Sequence, residues 1–262
     1  MARLRAAGCV FAEDEAALLV EAVDGRPDAP AELERLVARR VAGAPLEQLL
    51  GWAGFAGRRI LLEPGVFVPR RRTEALAVEA ARLARAVLEQ GRTPVVVDLC
   101  CGAGAIAAAV ADAAGPVELV AADVDPAAVR AARRNLEPLG ALVVAGDLFD
   151  ALPVELRGRV DVLAVNAPYV PTAEIATMPS EARDHEARVA LDGGDDGLDV
   201  HRRVAASARA WLAPGGSVLI ETSRRQAPTT EALLRAAGLS TTIVRDDELA
   251  ATVAIGRRAP ND

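Results

Sequence analysis

The sequence predicts an α/β protein in which a small helical unit precedes a seven-stranded, mostly parallel sheet with an antiparallel last strand. Two observations support this prediction. From residue 94 onwards, buried strand-like runs alternate with helix-like segments, which is the pattern of a parallel sheet. The last two strand-like runs, residues 241–244 and 249–255, follow each other without a helix between them. We therefore expect an antiparallel pair at the edge of the sheet.

Residues 1–51 are predicted to form a domain of short helices. Ala16, Leu19, Val20 and Val23 recur at helical spacing and predict one apolar face. A second helix is expected to begin at Pro30, because proline is favoured at the first helical position. These helices are too short to bury a core alone, so we expect them to pack together against the next domain.

Residues 52–68 are predicted to be a linker, and residues 69–262 a second domain. Within the linker, residues 59–62 and 66–68 are expected to pair as a β-hairpin, because a proline and a glycine lie between them. This hairpin would separate the helical domain from the sheet.

A run of three arginines, Arg70, Arg71 and Arg72, opens the second domain. The simplest interpretation is a solvated charge run. The alternative is a local basic spot that binds an anionic substrate or the carboxylate of a cofactor. Thr73 follows and is predicted to be the N-cap of a helix that reaches about Leu88.

Composition and charge exclude several classes of protein. The net charge is −7 and all 30 basic residues are arginines, so a broad basic surface for nucleic-acid phosphates is not expected. Cys9, Cys100 and Cys101 have neither a disulfide framework nor a zinc-binding spacing. No run approaches the ~20 apolar residues of a membrane span. We therefore expect a cytoplasmic protein with no membrane partner.

A tight glycine-containing loop follows the first strand of the sheet, and Asp98 lies just before it. The glycines allow a sharp turn and close approach to a ligand. A dinucleotide site would need another glycine, and an acidic residue would repel its pyrophosphate. Asp98 instead suits a ligand with a positive amino group, such as S-adenosylmethionine; the alternative is an ordinary turn. The candidate cofactor-binding loop is Cys100, Cys101, Gly102, Ala103 and Gly104.

Acidic residues follow the next two strands as well. Asp123 comes 25 positions after Asp98, close to the offset of about 20 at which an acidic side chain meets a ribose diol. Asp147 can accept a hydrogen bond from an adenine amino group while Leu148 packs on the ring. Asp125 is expected to cap a helix instead. Each could be a loop-capping residue, but acidic residues at three successive strand ends favour one binding site.

The candidate catalytic residues are Asn166, Ala167, Pro168 and Tyr169. They follow a buried strand, residues 160–165, at the sheet edge where open α/β folds bind ligands. The Asn166 side chain offers both an acceptor and donors. Pro168 restricts the residue before it, which aims the Ala167 carbonyl in one direction. Such a site suits a planar nitrogen nucleophile next to a methyl donor.

Two histidines are candidates for other roles. His185 lies in a long polar loop, residues 172–196, whose length indicates a function or mobility. No nucleophile signature accompanies it, so we expect a structural or substrate-facing role. His201 lies near the inner face of the next helix and is expected to be a hydrogen-bonded helix residue.

These motifs resemble those of class I S-adenosylmethionine-dependent methyltransferases that act on amino or amide nitrogens. Three further segments resemble the HemK/PrmC type, which methylates the side-chain amide (N5) of a glutamine in peptide-chain release factors. They are residues 68–74, residues 186–198, and Glu221 with Gln226. The resemblance implies a Rossmann-like fold and S-adenosylmethionine as cofactor, with S-adenosylhomocysteine as product. It also implies that Asn166 contacts the cofactor and that the helical domain helps to dock a release-factor-like protein through a glutamine-containing loop.

Three departures from the family pattern indicate a divergent branch. Cys100 stands where the family has a glycine, Ala167 where it has a proline, and Arg71-Arg72 where it has proline and glutamate. In the expected mechanism the Asn166 side-chain oxygen and the Ala167 carbonyl each accept one amide N–H. Neither contact requires a proline at position 167.

Other functions stay open at this stage. A nucleic-acid exocyclic-amine methyltransferase would need a basic groove and stacking aromatic residues, whereas aromatic residues are 3% of this chain. We therefore do not expect nucleic acid as the direct substrate. A binding module without activity would explain the departures at Cys100 and Ala167. Methylation of a small-molecule amine is a further alternative. We expect a monomer.

Overall fold

A computed structural model describes residues 1–261 of the chain. The helices are α1 (Ala2–Ala6), α2 (Ala12–Val23), α3 (Ala29–Val41), α4 (Leu46–Leu50), α5 (Glu74–Leu88), α6 (Ala105–Ala114), α7 (Pro126–Leu136), α8 (Ser180–His185), α9 (Asp199–Trp211) and α10 (Ala227–Ala236). The strands are β1 (Trp52–Phe55), β2 (Arg58–Leu61), β3 (Val95–Leu99), β4 (Glu118–Asp123), β5 (Leu142–Ala145), β6 (Val160–Val165), β7 (Leu212–Glu221), β8 (Ser240–Asp246) and β9 (Ala251–Arg257).

Seven strands form one sheet in the order β5-β4-β3-β6-β7-β9-β8. Strands β3 to β7 run parallel, while β9 is antiparallel to both β7 and β8. The predicted mostly parallel sheet with an antiparallel last strand is confirmed. The last strand lies inside the edge strand β8, because the β8–β9 hairpin folds back and pairs with β7.

Alternate residues of the central strands face two separate layers of the core. Val96 and Val162 point to the side covered by α5, α6 and α7. Val97 and Leu163 point to the side covered by α9 and α10. Strands buried on both faces are typical of parallel sheets. They leave only the strand ends accessible for binding.

The N-terminal helices have a small core of their own. Leu19 and Val23 of α2 pack there with Leu36 of α3. Val20, which the periodicity places on the same face, is 53% exposed. That part of the prediction is wrong because the short partner helices cover only a narrow strip of α2. The boundaries at residues 51 and 68 stay predictions.

The linker contains a hairpin, but not between the predicted segments. β1 pairs antiparallel with β2, and residues 66–68 form no strand. Ala56 and Gly57 connect the strands with φ angles of 48° and 78°, and two consecutive positive φ angles give the tight turn that suits a hairpin. Val66 instead donates its N–H to the Glu63 carbonyl at 3.1 Å in a turn.

The carboxyl ends of the parallel strands meet at one edge of the sheet. Leu99, Asp123, Ala145, Val165 and Glu221 end β3, β4, β5, β6 and β7 there. This is the edge at which open α/β sheets bind ligands. Within residues 1–261, no helix is long and apolar enough to cross a membrane, and no group of side chains forms a metal-binding cluster.

Candidate active site

A cleft of about 590 Å³ opens at this edge of the sheet. Its volume is within the range of about 300–1,000 Å³ for small-molecule sites. Two residues that the sequence predicts to bind the cofactor, Asp98 and Gly104, are not part of the lining of this cleft. The predicted residues that line it are Cys100, Cys101, Gly102, Ala103, Asp123, Asp147, Leu148, Asn166, Ala167, Pro168 and Tyr169.

Asp98 lies fully buried at the end of β3. Its Oδ2 accepts a hydrogen bond from the Ala107 N–H at 3.0 Å, whereas Oδ1 has no partner. Burial raises the pKa of Asp98 to about 7, although the Ala107 N–H opposes the shift. A buried carboxyl with an unpartnered oxygen is stabilised by a positive group nearby.

The loop after β3 turns sharply because several residues adopt the left-handed conformation. The φ angles of Cys100, Gly102 and Gly104 are 57°, 54° and 80°. At Gly104 a Cβ would lie 2.7 Å from Leu136 Cδ1, so both the left-handed backbone and the packing against α7 favour glycine. Cys100 is not a glycine but has the left-handed backbone typical of one, which costs roughly 1–2 kcal/mol of folding free energy. Burial holds the pKa of its thiol well above the usual range, which leaves it uncharged.

The two other acidic residues differ in how they are held. Asp123 accepts hydrogen bonds from the backbone N–H of Gly102 at 2.8 Å and of Asp125 at 2.9 Å. A carboxylate has about four acceptor positions, so Asp123 can still bind a hydroxyl group. The side chain of Asp147 is half exposed and accepts a hydrogen bond from Arg203 at 2.7 Å. Asp125 caps α7, as predicted, by accepting from the Ala127 N–H.

The side chain of Asn166 is oriented by Thr73. Asn166 Nδ2 donates to Thr73 Oγ1 at 3.3 Å, which directs the side-chain oxygen of Asn166 away from this contact. Thr73 is the N-cap residue of α5, which ends at Leu88 as predicted, but its side chain makes no capping hydrogen bond to the helix. A 3₁₀ turn, Arg71–Thr73, precedes α5 and places the Thr73 hydroxyl against Asn166 instead.

Tyr169 is held by a buried carboxylate. Its hydroxyl donates to Glu221 Oε1 at 3.1 Å, and Arg72 Nε donates to the same oxygen at 3.4 Å. Burial, followed by the Glu221 charge, raises the pKa of Tyr169 well above the usual range. Tyr169 is therefore a neutral phenol. Because Arg72 and its neighbour Arg70 both line the cleft, the interpretation of the arginines as a solvated run is wrong for these two.

Gln226 fixes the backbone around Tyr169. Its Nε2 donates to the carbonyl oxygens of Tyr169 and Asp196, both at 2.9 Å, and its Oε1 accepts from Ser223. Gly197 packs against the same carbonyl group, and a Cβ at this position would lie 2.3 Å from the Tyr169 carbonyl oxygen. These bonds attach Tyr169, the last residue of the candidate catalytic tetrad Asn166–Tyr169, to Asp196 at the end of the 172–196 segment.

The segment 172–196 forms one wall of the cleft through Met178, Pro179 and residues 189–192. It contains helix α8 and so is not the simple loop that the sequence predicts. Glu186, almost fully buried, accepts hydrogen bonds from the Val68 N–H at 3.1 Å and from Arg70 at 2.6 Å. We call this segment the strap, because these contacts hold it across the cleft against the linker.

A protein-family model described as a methyltransferase small domain matches residues 58–194 of the chain. This range is more than half of the chain and includes the loop after β3, the tetrad and most of the strap. The chain belongs to this methyltransferase family. Within this family, the chain is of the same type as the release factor glutamine methyltransferases.

Two relatives support this assignment. The chain is 38% identical over 253 residues to the release factor glutamine methyltransferase of Deinococcus radiodurans. The aligned region covers 90% of this chain and 88% of that one. The chain is 39% identical over 210 residues to the 4-amino-L-phenylalanine/4-methylamino-L-phenylalanine methyltransferase of Streptomyces pristinaespiralis, covering 80% of this chain and 71% of that one. The two relatives act on different classes of substrate.

The fold also matches solved structures. A 16S rRNA methyltransferase of T. thermophilus, solved with AdoMet and guanosine, has a TM-score of 0.54 at 22% identity and covers 79% of this chain and 49% of that one. This likeness concerns the Rossmann-like fold of the methyltransferase and carries no conclusion about its substrate.

S-adenosylmethionine is the cofactor, and the residues of the cleft fit it. Asp98 lies outside the cleft lining, at the end of β3, and its unpartnered Oδ1 suits a positive amino group. Asp123, at the end of β4, suits the ribose, and Asp147 with Leu148 suits the adenine. When bound, the cofactor supplies an electrophilic methyl group. The assignment of each residue to a part of the cofactor stays a prediction.

Sequence reasoning assigned no site role to several residues that the structure brings to the tetrad. Thr73 was expected to be a cap, and Glu221 and Gln226 entered only through the family resemblance. Their contacts span 93, 52 and 57 positions of the chain. The one local signal was a buried-strand pattern that ends on a glutamate, which a parallel sheet places at the binding edge.

His201 is buried on α9, with Nδ1 3.0 Å from the Thr230 hydroxyl. This agrees in part with its predicted role as a hydrogen-bonded helix residue, because Nδ1 has a partner while Nε2 is buried without one. Burial lowers its pKa from 6.5 to about 4. The neutral ring is therefore favoured in the folded state. Its contribution to stability is full above pH 6.5 and is lost as the pH falls towards 4.

The pH dependence of stability tests this state of His201. Between pH 7 and pH 5, wild type is expected to lose about 2 kcal/mol more unfolding free energy than His201→Gln, whose side chain does not titrate. Urea denaturation at both pH values measures the difference. Because other groups titrate equally in both proteins, equal losses would contradict a buried neutral ring.

Proposed function

We propose that this methyltransferase transfers a methyl group from S-adenosylmethionine to the side-chain amide nitrogen, N5, of a glutamine in a release-factor-like protein. The observation that supports it most is the orientation of Asn166. Its Nδ2 is engaged by Thr73, so its oxygen is available to accept an amide N–H in the cleft. Relatives such as that of Deinococcus radiodurans support the choice of substrate.

The chemistry requires orientation more than proton removal. An amide nitrogen is a weak nucleophile because its lone pair is delocalised. The Asn166 side-chain oxygen and the Ala167 carbonyl accept its two N–H groups, which aligns the nitrogen with the methyl donor and stabilises the positive charge that develops on it. Tyr169, a neutral phenol held by Glu221, supports the plane of the amide. The proton leaves after transfer, so no general base is assigned.

The second domain supplies the chemistry, and the helical domain, residues 1–51, helps to dock the protein substrate. Its link to the site is Arg40, which pairs with Glu15 at 2.6 Å and also contacts Glu181 of the strap. We further propose that the enzyme acts as a monomer in the cytoplasm and that its direct substrate is a protein and not a nucleic acid. Light scattering after size-exclusion chromatography measures the oligomeric state.

Labelling identifies the substrate. Purified enzyme is added with methyl-tritiated S-adenosylmethionine to a cell extract, and the labelled residue is mapped by mass spectrometry. The expected product is a glutamine methylated on N5 in a release factor. Label that survives protease but not nuclease would overturn the proposal, as would cofactor binding measured by calorimetry without transfer to purified release factors.

A second candidate is the amine of an aromatic amino acid. The relative of Streptomyces pristinaespiralis favours it, because that enzyme is named for 4-amino-L-phenylalanine. An aromatic amine resembles an amide, since its lone pair is also delocalised and its two N–H groups lie near one plane. The same two acceptor oxygens therefore suit both. Label in the small-molecule fraction of the extract would support this candidate.

A further inference from the structure

We propose that Arg72 binds an anionic group of the substrate, a carboxylate, beside the nitrogen that receives the methyl group. The inference rests on the proposed function, because it concerns the same acceptor site, and it narrows the class of substrate. Arg72 lines the cleft. Its side chain is 49% exposed, so part of the guanidinium remains open to the cleft.

Glu221 positions the guanidinium of Arg72 but does not occupy all of its hydrogen-bond donors. Its Nε donates to Glu221 Oε1 at 3.4 Å, and the Tyr169 hydroxyl is its other polar neighbour. Neither terminal NH₂ group donates to a carboxylate or carbonyl oxygen within residues 1–261. Glu221 Oε2 is buried without a partner, so the pair lacks the two parallel bonds of a guanidinium–carboxylate fork. An arginine that served only to neutralise Glu221 would be expected to form that fork.

Arg72 lines the same cleft as Asn166 and Ala167, which carry the predicted acceptor atoms. The next residue, Thr73, bonds to Asn166 at 3.3 Å, and Arg72 meets Tyr169 through Glu221. Arg72 is therefore next in the chain to the residue that orients Asn166, and it shares a carboxylate with Tyr169. A substrate whose nitrogen bonds to Asn166 would bring neighbouring groups within reach of the terminal NH₂ groups.

The other arginines of the cleft are already occupied. Arg70 donates to Glu186 at 2.6 Å and its guanidinium lies 5.0 Å from the centre of the Phe67 ring. Arg203 donates to Asp147 at 2.7 Å. Of the three arginines lining the cleft, Arg72 alone has both terminal NH₂ groups free of carboxylates in the described chain. The geometry therefore assigns the anion to Arg72.

Two sources can supply this carboxylate: an acidic side chain next to the glutamine of a protein loop, or the free carboxylate of an aromatic amino acid. Binding is measured by calorimetry on the full-length protein loaded with S-adenosylhomocysteine. Each source has a matched pair of probes. One pair is a glutamine peptide with a neighbouring aspartate and the same peptide with asparagine. The other is an amine-bearing aromatic amino acid and its carboxamide.

In wild type, the acid of one pair is expected to bind about 10- to 100-fold more tightly than its neutral partner, the range for a hydrogen bond to a charged group. Arg72→Gln is expected to bring this ratio close to one, while Arg72→Lys retains part of it. Arg85→Gln is the matched control, because it removes an exposed arginine from the last turn of α5 and should keep the wild-type ratio. Since each ratio is taken within one variant, a general loss of affinity cancels.

The pair that shows the preference identifies the source of the carboxylate. A ratio near one for both pairs in wild type, or an unchanged ratio in Arg72→Gln, overturns the inference. Glutamine methylation without any acid preference would overturn it and leave the proposed function intact. An acid preference that depends on Arg72, in a protein that methylates no candidate, would support the inference and overturn the proposed function.

Discussion

Replacing Asn166 by alanine is expected to lower kcat by about 10²-fold or more, by analogy with the loss of one oxyanion-hole donor. The alanine removes the side-chain oxygen that accepts an amide N–H, and this contact strengthens as positive charge develops on the nitrogen. Affinity for S-adenosylmethionine should change much less than kcat. Steady-state methyl transfer and calorimetry of cofactor binding measure the two quantities.

Thr73→Val is the control for this prediction. It keeps the shape of residue 73 but removes the hydroxyl that accepts from Asn166 Nδ2 at 3.3 Å. The side chain of Asn166 then loses its orientation but keeps its oxygen, so we expect a loss of about 5-fold in kcat, corresponding to one neutral hydrogen bond of about 1 kcal/mol. Asn166→Ala protein that transfers methyl groups at the wild-type rate would rule out the acceptor role.

The sheet was predictable from sequence because parallel strands have a strong local signature. Residues 160–165 are apolar except for Asp161, and β6 is buried along its whole length. The residue after such a strand lies at the binding edge, which is why the position of Asn166 in the cleft was predictable without a structure. The positions of Asp98 and Asp123 at the ends of β3 and β4 followed from the same argument, and the functional roles of all three stay predictions.

The partners of these residues could not be predicted, because they depend on contacts between distant parts of the chain. Nothing local distinguishes Arg72, which lines the cleft, from Arg71, which does not. The choice is made by the 3₁₀ turn Arg71–Thr73 and by the buried Glu221 opposite. The sequence places the hairpin wrongly for a related reason, because the positive φ angle at Ala56 occurs at a non-glycine residue and has no distinctive sequence signal.

The Ala167 departure illustrates the difference between family pattern and chemistry. The residue is buried, with 2% of its surface exposed, and contributes its carbonyl to the proposed mechanism. Proline and alanine both supply this group, and Pro168 is present to restrict the backbone in either case. A change at position 167 therefore preserves the acceptor, whereas a glutamate-to-arginine change at position 72 reverses the charge of a cleft side chain.

Replacing Gly197 by alanine is expected to destabilise the protein by about 3 kcal/mol or more, since backbone strain at positive φ and overpacking each cost roughly 1–3 kcal/mol. Gly197 has a φ of 76°, and the added Cβ would lie 2.3 Å from the Tyr169 carbonyl oxygen and 2.4 Å from Gln226 Nε2. The first of these atoms is backbone and cannot turn away. The tetrad must therefore move.

Gly197→Ala is expected to displace Tyr169 and so to lower kcat, whereas a variant with backbone strain alone should lose only stability. Gly140→Ala is the matched control, because Gly140 has a φ of 70° and nothing within 4 Å of the added Cβ. It should lose only about 1–2 kcal/mol and keep wild-type kcat. At a temperature where both variants are folded, Gly197→Ala should lower kcat by about 10²-fold, the effect of a displacement of about 1 Å at a reactive site. If both variants show the same stability and the same kcat, the contact between Gly197 and the tetrad does not position Tyr169.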